Sequence, residues 1–301
     1  MKNKIIITGG AGFIGTELIK RLNQKNNLII ADKKKDKKLI LRLKKLKIKY
    51  FQGDLLDKDF SKKIYKNAKT IFHLAGIVKV PSTDVNLDLK KERKIYNEAI
   101  TIINNLIKFN SKKTLIIFPS THLIFENCKK NKVIFNENSK PMPNLAYSRS
   151  KLKCEELLIE NNMNFRVLRL GSVYGAAESE KRMFNLPNLF PLRAKKGLDL
   201  MLFSGGVQIK SIVSVKDVAA AMLFVMKKRF KGQIFNLVSE HLRVKKIGEL
   251  CQKFNKKIKL IKTKDKIPYE GYYVNCSKII KSGFKFKNDY KKFVKDFINK
   301  N

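Results

Sequence analysis

The start of the chain combines a short apolar run with three spaced glycines. Residues 4–8 read Lys-Ile-Ile-Ile-Thr. Gly9, Gly12 and Gly15 follow, and residues 16–22 then have the apolar spacing of a helix. Glycines so placed let the backbone turn tightly and approach a pyrophosphate closely, while the helix N-terminus supplies partial positive charge. The segment therefore predicts a strand, a turn and a helix that bind a dinucleotide.

A second apolar run, residues 28–31, ends in Asp32. At this distance from the glycine turn, an acidic side chain accepts hydrogen bonds from the adenine ribose hydroxyls and repels a 2′-phosphate. Lys33 and Lys34 are compatible with NADP, but the position of Asp32 favours NAD. We therefore expect NAD as the cofactor.

Apolar runs alternate with helical stretches over the first 170 residues, which predicts an α/β fold with a parallel, doubly wound sheet. Strands are expected at 4–8, 28–31, 49–52, 70–74, 114–119 and 164–170, and helices include 99–109 and 148–160. Ligands of such sheets lie at the carboxyl ends of the strands. The glycine turn and Asp32 both fall there.

Tyr147 and Lys151 are four residues apart. Lys151 lies in the helix expected at 148–160, and Tyr147 directly precedes that helix. This spacing places a phenol and an ammonium one turn apart on the same face. A tyrosine normally keeps its proton up to pH of about 10, and a neighbouring cation favours the phenolate. The pair therefore indicates an acid or base that works near neutral pH.

Composition limits the other classes of function. The formal net charge is +41, but only ten of the 66 basic residues are Arg and the lysines are spread along the chain. Specific phosphate and base recognition depends on the arginine fork, so we expect no specific nucleic-acid partner. No apolar stretch approaches the roughly 20 residues that cross a bilayer, so we expect no membrane partner. The four cysteines have no metal-ligand or redox spacing, which favours reduced thiols in the cytoplasm and no metal site.

The order of the motifs resembles that of the extended short-chain dehydrogenases/reductases, in particular their NAD-dependent nucleotide-sugar epimerase/dehydratase group, of which UDP-glucose 4-epimerase is an example. The resemblance covers essentially the whole chain. It rests on residues 8–15, Gly53-Asp54, residues 73–76, Ser120-Thr121, Tyr147 with Lys151, residues 169–175, residues 215–218 and residues 276–284.

The resemblance implies a Rossmann-type NAD-binding domain and a smaller C-terminal substrate-binding lobe. We expect the first at residues 1–173, with 211–240 returning to it. The lobe is expected at 174–210 and 241–301.

The resemblance also implies roles for individual residues. Tyr147 would exchange a proton with a substrate hydroxyl or carbonyl, Lys151 would hold the nicotinamide ribose, and Thr121, with Ser120 in reserve, would hydrogen-bond the reacting oxygen. The expected cofactor-binding residues are Gly9, Gly12, Phe13, Ile14, Gly15, Asp32, Asp54, Leu55, Leu74, Ala75, Gly76, Tyr147 and Lys151. His73 is interpreted as a packed strand residue.

Departures from the family pattern narrow the reaction. Dehydratases of the group carry an acidic pair directly after the Thr, where this chain has His122 and Leu123, so dehydration is not expected. Ser172 stands where epimerases commonly carry Asn, and Lys210-Ser211 stands in place of an Arg-Asp pair. Ser172, Arg193 and Lys210 are the residues expected to bind the substrate.

The expected function is an NAD-dependent nucleotide-sugar epimerase that acts by transient hydride transfer at a sugar carbon, C4 of a nucleoside-diphosphate hexose. A keto-sugar reductase or dehydrogenase of the same family is the alternative within this class. A non-catalytic NAD-binding regulator is the alternative outside it. The family resemblance further implies a homodimer formed through two helices of each subunit.

Overall fold

The computed structural model describes residues 4–22, 27–76, 88–176, 185–265 and 270–300. The chain divides into two compact units. The first comprises Met1–Ile124, Pro141–Arg169 and Met222–Phe235, and the second comprises Phe125–Lys140, Leu170–Ala221 and Asn236–Asn301.

Strands and helices alternate along most of the described chain. The strands are β1 (Lys4–Thr8), β2 (Asn27–Asp32), β3 (Lys49–Gln52), β4 (Thr70–His73), β5 (Leu115–Thr121), β6 (Ile134–Phe135), β7 (Asn164–Leu170), β8 (Ser172–Tyr174), β9 (Leu200–Leu202), β10 (Ile209–Ser214), β11 (Gln233–Leu237), β12 (Glu240–Arg243), β13 (Leu260–Lys262) and β14 (Tyr273–Val274). The α-helices are α1 (Phe13–Arg21), α2 (Lys37–Lys45), α3 (Lys58–Tyr65), α4 (Leu89–Lys108), α5 (Ala146–Glu160), α6 (Leu186–Lys195), α7 (Val215–Lys227), α8 (Val244–Phe254), α9 (Ser277–Lys281) and α10 (Tyr290–Asn299).

A seven-stranded sheet has the order β11-β7-β5-β4-β1-β2-β3. The strand β1 pairs in parallel with β2 and with β4, and the pairs β2–β3 and β4–β5 are also parallel. The sheet is mostly parallel and is flanked by helices, which confirms the predicted Rossmann-type α/β class. The chain order reverses direction between β1 and β4, and ligands of such sheets bind outside the strand ends at that point.

Buried aliphatic residues explain why β1 lies in the centre of this sheet. Ile5, Ile6 and Ile7 are all buried, as expected for a parallel strand that helices cover on both faces. Ile6 belongs to a core cluster that also contains Leu106 of α4 and Leu158 of α5. Burial of these side chains fixes the position of α5, the helix that carries Tyr147 and Lys151.

The second unit is built from smaller sheets. The strands β12, β10 and β8 form a three-stranded sheet in that order, and β13–β9 and β14–β6 form two-stranded sheets. Its core contains Tyr174, Leu202, Ile247, Tyr290 and Val294. The Tyr174 hydroxyl donates a hydrogen bond to Asn288 O at 3.2 Å, and the Tyr290 hydroxyl donates to Pro187 O at 2.8 Å.

The boundary between the units differs from the predicted one. Residues 211–240 were expected to return together to the first domain, but their strands divide between two sheets. The strand β11 joins the seven-stranded sheet, whereas β10 pairs with β8 and β12. Residues 125–140 also belong to the second unit, because β6 pairs with β14.

Candidate active site

The glycine turn after β1 leaves no room for side chains. Gly9 has a φ of +66°, and a Cβ at this position would lie 2.7 Å from Ala75 N. The Gly12 N–H donates a hydrogen bond to Gly9 O at 2.9 Å. A Cβ on Gly15 would lie 2.6 Å from Gly10 O, so α1 starts in direct contact with the turn. This bare backbone at a helix N-terminus fits the pyrophosphate of NAD.

Phe13 and Ile14 open α1 directly after the turn, as the predicted binding segment requires. Neither the N-cap residue Gly12 nor the first helical turn carries an acidic side chain. The N-terminal end of α1 therefore keeps its partial positive charge available to an anion.

Asp32 lies at the end of β2 and reaches the glycine turn. Its Oδ2 accepts a hydrogen bond from Ala11 N at 2.9 Å, and its Oδ1 accepts one from Lys34 N at 2.9 Å. The structure thus brings this predicted ribose-binding carboxylate and the predicted pyrophosphate-binding turn together.

Asp54 and Leu55 follow β3 and differ in what they expose. The Asp54 carboxylate forms a 2.6 Å ion pair with Lys33 Nζ and accepts a hydrogen bond from Leu56 N. Leu55 was predicted to face the adenine, but its side chain is buried in the core of the first unit. Its carbonyl accepts a hydrogen bond from Asn105 Nδ2 at 2.9 Å. Any contact of Leu55 with adenine is therefore left to its backbone.

The end of β4 is held against β1 by Thr8. The Thr8 hydroxyl lies 3.0 Å from His73 Nδ1 and accepts a hydrogen bond from Ala75 N at 3.3 Å. Thr8 O accepts a further bond from Leu74 N. Burial, with the charge of Lys151 as the second cause, lowers the pKa of His73 to about 3. His73 is thus neutral at neutral pH and packs within the unit, as it was interpreted.

Tyr147 and Lys151 of α5 line one small cavity together with residues of β4 and of the turn that follows it. The cavity has a volume of about 20 Å³, and its wall includes His73, Ala75 and Gly76. The predicted proton-transfer pair therefore lies beside the predicted cofactor-binding turn.

The Lys151 amine has a defined position in this cavity. Its Nζ donates a hydrogen bond to Pro119 O at 2.9 Å and lies 4.5 Å from the centre of the Phe118 ring. Burial lowers the pKa of Lys151. Carbonyl and ring contacts favour the charged amine, so they oppose the effect of burial.

Ser120 and Thr121 are both buried at the end of β5. Thr121 Oγ1 accepts a hydrogen bond from Leu123 N at 3.1 Å. In the described part of the chain, the Ser120 hydroxyl has no hydrogen-bond partner. His122 begins a 3-10 helix directly after Thr121 and is buried.

The three predicted substrate-binding residues all belong to the second unit. Ser172 pairs with Ile212 in the β8–β10 ladder, so Lys210 lies two positions before the partner of Ser172 and on the same face. Burial lowers the pKa of Lys210. Arg193 Nε and Nη2 donate to Asp199 O at 3.1 and 3.0 Å, at the turn after α6.

The sequence interpretation missed two acidic residues, one on α5 and one that contacts it. Glu155 forms a buried ion pair with Arg169, and Glu92 of α4 accepts a hydrogen bond from Ala146 N at 2.6 Å. Glu155 follows Lys151 by four residues, so the helical spacing was a usable signal. Nothing in the sequence pairs Glu92 with a helix that starts more than fifty residues later.

The described residues contain neither a metal-binding cluster nor a membrane-spanning helix. No group of three or more His, Cys, Asp or Glu side chains within them could hold a metal ion. No helix in the same residues is long and apolar enough to span a membrane.

The chain is similar to known proteins in sequence and in fold. The dTDP-D-glucose 4,6-dehydratase of Dictyostelium discoideum is 29% identical over 259 residues, which cover 78% of this chain and 58% of that protein. The UDP-glucose 4-epimerase of Thermotoga maritima, solved with UDP-glucose, has a TM-score of 0.82 at 20% identity and covers 98% of this chain and 97% of its own.

A third similar protein has NAD bound in its solved structure. The dTDP-glucose 4,6-dehydratase of Streptomyces venezuelae, solved with NAD bound, has a TM-score of 0.80 at 15% identity and covers 98% of this chain and 95% of its own. The sequence profile of the NAD dependent epimerase/dehydratase family matches residues 5–237. The chain is therefore an enzyme with NAD as its cofactor, and it belongs to the NAD-dependent epimerase/dehydratase family of extended short-chain dehydrogenases/reductases.

Proposed function

We propose that this enzyme is a nucleotide-sugar epimerase that acts by transient hydride transfer at C4 of a nucleoside-diphosphate hexose. One observation carries the proposal. Tyr147 and Lys151 share a cavity with Ala75 and Gly76, and Ala75 N lies against the glycine turn through Gly9. A proton-transfer pair and a dinucleotide turn thus lie side by side in one unit.

Each residue has a separate task in this reaction. As a phenolate, Tyr147 accepts the proton of the C4 hydroxyl, and as a phenol it returns that proton when the opposite face of C4 has been reduced. The Lys151 ammonium favours the phenolate and would hold the nicotinamide ribose. Thr121, with Ser120 beside it, orients the reacting oxygen. The glycine turn and Asp32 would hold NAD, which would supply reversible hydride exchange at C4, so the net reaction would be redox-neutral.

Two residues argue against dehydration. His122 and Leu123 follow Thr121 and provide no carboxyl group to protonate a leaving hydroxyl. Burial of His122 places it in the packed wall of the unit. Epimerisation, or net reduction of a 4-keto sugar by the same residues, is therefore the chemistry that the side chains support.

Lys210 and Ser172 are proposed to bind the diphosphate of the substrate. They lie on one face of the β8–β10 pair. Because burial lowers the pKa of Lys210, an anion beside its amine would stabilise the charged form. Arg193 is left to hold the turn at Asp199.

A homodimer is proposed to form through α4 and α5 of each subunit. These helices pack on each other, and a groove of about 840 Å³ between them is lined by residues that include Arg93, Tyr96 and Leu152. A cytoplasmic location stays a prediction from the cysteine spacing.

A turnover screen tests the proposed reaction. The purified protein is incubated with NAD and a panel of UDP-, dTDP- and ADP-hexoses, and product stereochemistry is read by NMR. We expect sugar conversion without a net change at the reduced-nicotinamide absorbance band. Stoichiometric consumption of cofactor would identify a reductase instead.

Tyr147→Phe removes the proposed acid and base. We expect turnover to fall by about 10²-fold or more, while NAD affinity stays nearly unchanged. Tyr65→Phe is the matched control, because the buried Tyr65 hydroxyl has no hydrogen-bond partner among the described residues. Full turnover by Tyr147→Phe, or a loss of NAD binding alone, would refute the role of Tyr147.

The alternative of a non-catalytic regulator is tested by the unaltered protein. Absence of turnover on every sugar, with NAD bound, would favour that alternative.

A further inference from the structure

A buried ion pair joins α5 to β7 in the first unit. Arg169 Nε donates to the Glu155 carboxylate at 3.1 and 3.3 Å, and its Nη2 donates to Oε2 at 2.8 Å. The two side chains are only 5% and 2% exposed. Such a pair is costly to bury, and breaking one half of it is strongly destabilising. Its placement therefore calls for a reason beyond stability.

The position of Glu155 on α5 supplies that reason. Tyr147, Lys151 and Glu155 follow each other at intervals of four residues, so they lie along one face of the helix. Glu155 is thus one turn from Lys151 along α5, on the side away from Tyr147. Burial lowers the pKa of Lys151, whereas Cys154 and Glu155 raise it.

Apart from Tyr147 when it is a phenolate, the other described groups that line the cavity with Lys151 provide no negative charge. His73 of β4 is neutral at neutral pH, and burial raises the pKa of Cys154 to about 11, which keeps the thiol protonated. From β5 the amine meets Pro119 O. The cavity wall contributed by α4 is apolar, and no residue that lines the cavity is Asp or Glu.

We propose that Glu155, fixed in place by Arg169, is a positioning residue that keeps the Lys151 amine protonated and aligned over the working pH range. The inference rests on the proposed role of Lys151 in the reaction. It assigns no substrate or cofactor contact to Glu155 or Arg169. The hydrogen bonds of the Arg169 guanidinium orient the Glu155 carboxylate. The positive charge of Arg169 has the opposite electrostatic effect to Glu155 and weakens the attraction between Glu155 and Lys151.

Two single variants make opposite predictions. Glu155→Gln removes the carboxylate and keeps the Arg169 charge, so Lys151 should lose its proton at a lower pH than in the unaltered protein. Arg169→Gln leaves Glu155 uncompensated, so Lys151 should keep its proton to a higher pH. A merely structural pair would not produce shifts of opposite sign.

Lys151 can be titrated directly, without substrate or NAD. The full-length protein is pulsed with trace acetic anhydride at a series of pH values, and acetylation of the Lys151 peptide is measured by mass spectrometry against an added amine standard. Only the neutral amine reacts, so the profile reports its protonation. Glu160→Gln is the control on the same helix, because Glu160 is exposed and bonds Lys153. It should leave the Lys151 profile unchanged.

The double variant Glu155→Gln/Arg169→Gln tests the inference even where a single variant fails to fold, because it leaves neither half of the pair uncompensated. We expect it to fold and to shift the Lys151 profile less than Glu155→Gln alone. The alkaline limb of the turnover profile should move with the labelling profile. Two outcomes would overturn the inference. In the first, the Lys151 labelling profile is unchanged both in the double variant and in Arg169→Gln. In the second, Glu155→Gln and Arg169→Gln shift the profile in the same direction. Full activity of Lys151→Met would instead refute the proposed function and leave the labelling result standing.

Discussion

Gly9 occupies a position in the predicted dinucleotide-binding turn that no residue with a Cβ can take without strain. Its φ of +66° is strained for any residue with a Cβ, and a Cβ would also press on Ala75 N. The position therefore combines a conformational demand with a steric one. The glycine spacing in the sequence indicates the conformational demand, and the structure adds the steric demand.

Gly9→Ala is expected to lower NAD affinity by at least about tenfold, because a clash worth about 1.4 kcal/mol already has that effect. Affinity is measured by calorimetry and stability by thermal unfolding. Gly197→Ala is the matched control, since Gly197 has a φ of +70° with no atom within 4 Å of its Cβ position. It should show the backbone strain without the loss of affinity. Equal NAD affinity in Gly9→Ala and the unaltered protein would contradict this account.

The sequence motifs predicted where the site residues lie better than they predicted which partners their side chains contact. Asp32 lies at the end of β2, and Tyr147 and Lys151 lie on α5 beside Ala75 and Gly76, where the motifs predicted them. The bonding of Leu55 and Arg193 was not predicted: the Leu55 side chain packs in the core, and Arg193 donates to a backbone carbonyl. Such tertiary bonds depend on partners distant in sequence, so no local pattern could reveal them.

At the scale of elements, α5 depends on α4 for its first turn. Leu145 is the N-cap residue of α5 and provides no side-chain hydrogen bond. The Glu92 carboxylate takes that place by accepting from Ala146 N. The start of the helix next to Tyr147 is thus anchored by a different helix.

Glu92→Ala should lower the free energy of unfolding by about 1 kcal/mol, the usual effect of losing a cap, and should also reduce turnover by displacing Tyr147. Urea unfolding and steady-state kinetics measure the two effects. Asp88→Ala is the comparison, because Asp88 caps α4 itself through Lys90 N and Lys91 N. It should lose similar stability with less effect on turnover. Equal loss of turnover in both variants would argue against a specific anchor.

The predictability of elements follows their apolar content. The strand 4–8 has the predicted bounds, because its apolar run Ile5-Ile6-Ile7 is continuous. The helix predicted at 99–109 begins ten residues earlier, at Leu89. Its first turns are rich in Lys, Glu and Arg and have little apolar periodicity, so a pattern based on burial finds only the second half.

At the scale of the whole molecule, the proposed dimer can be tested without a substrate. Light scattering should give twice the monomer mass at micromolar concentration. Leu152→Arg places a charge in the groove between α4 and α5 and should yield monomers that still bind NAD. Leu41→Arg is the control, because Leu41 is exposed on α2 outside that groove. A monomeric unaltered protein would exclude the proposed assembly.

Whole-molecule organisation was predictable in class but not in boundary. The βα alternation and the glycine turn were enough to give the doubly wound sheet. The allocation of residues 125–140 to the second unit was not, since it depends on a two-residue strand, Ile134–Phe135, which pairs with Tyr273 and Val274 far along the chain. Contacts of such long sequence separation leave no local signature.

The proposed chemistry and the proposed sugar recognition belong to different stretches of one polypeptide. The glycine turn, Asp32, Tyr147 and Lys151 are in the first unit, whereas Ser172 and Lys210 are in the second. Mutations that retune the choice of sugar can accumulate in one without rebuilding the redox machinery of the other. An engineer seeking a new specificity could thus confine a mutant library to residues 170–221 and 236–301 and inherit the catalytic apparatus intact.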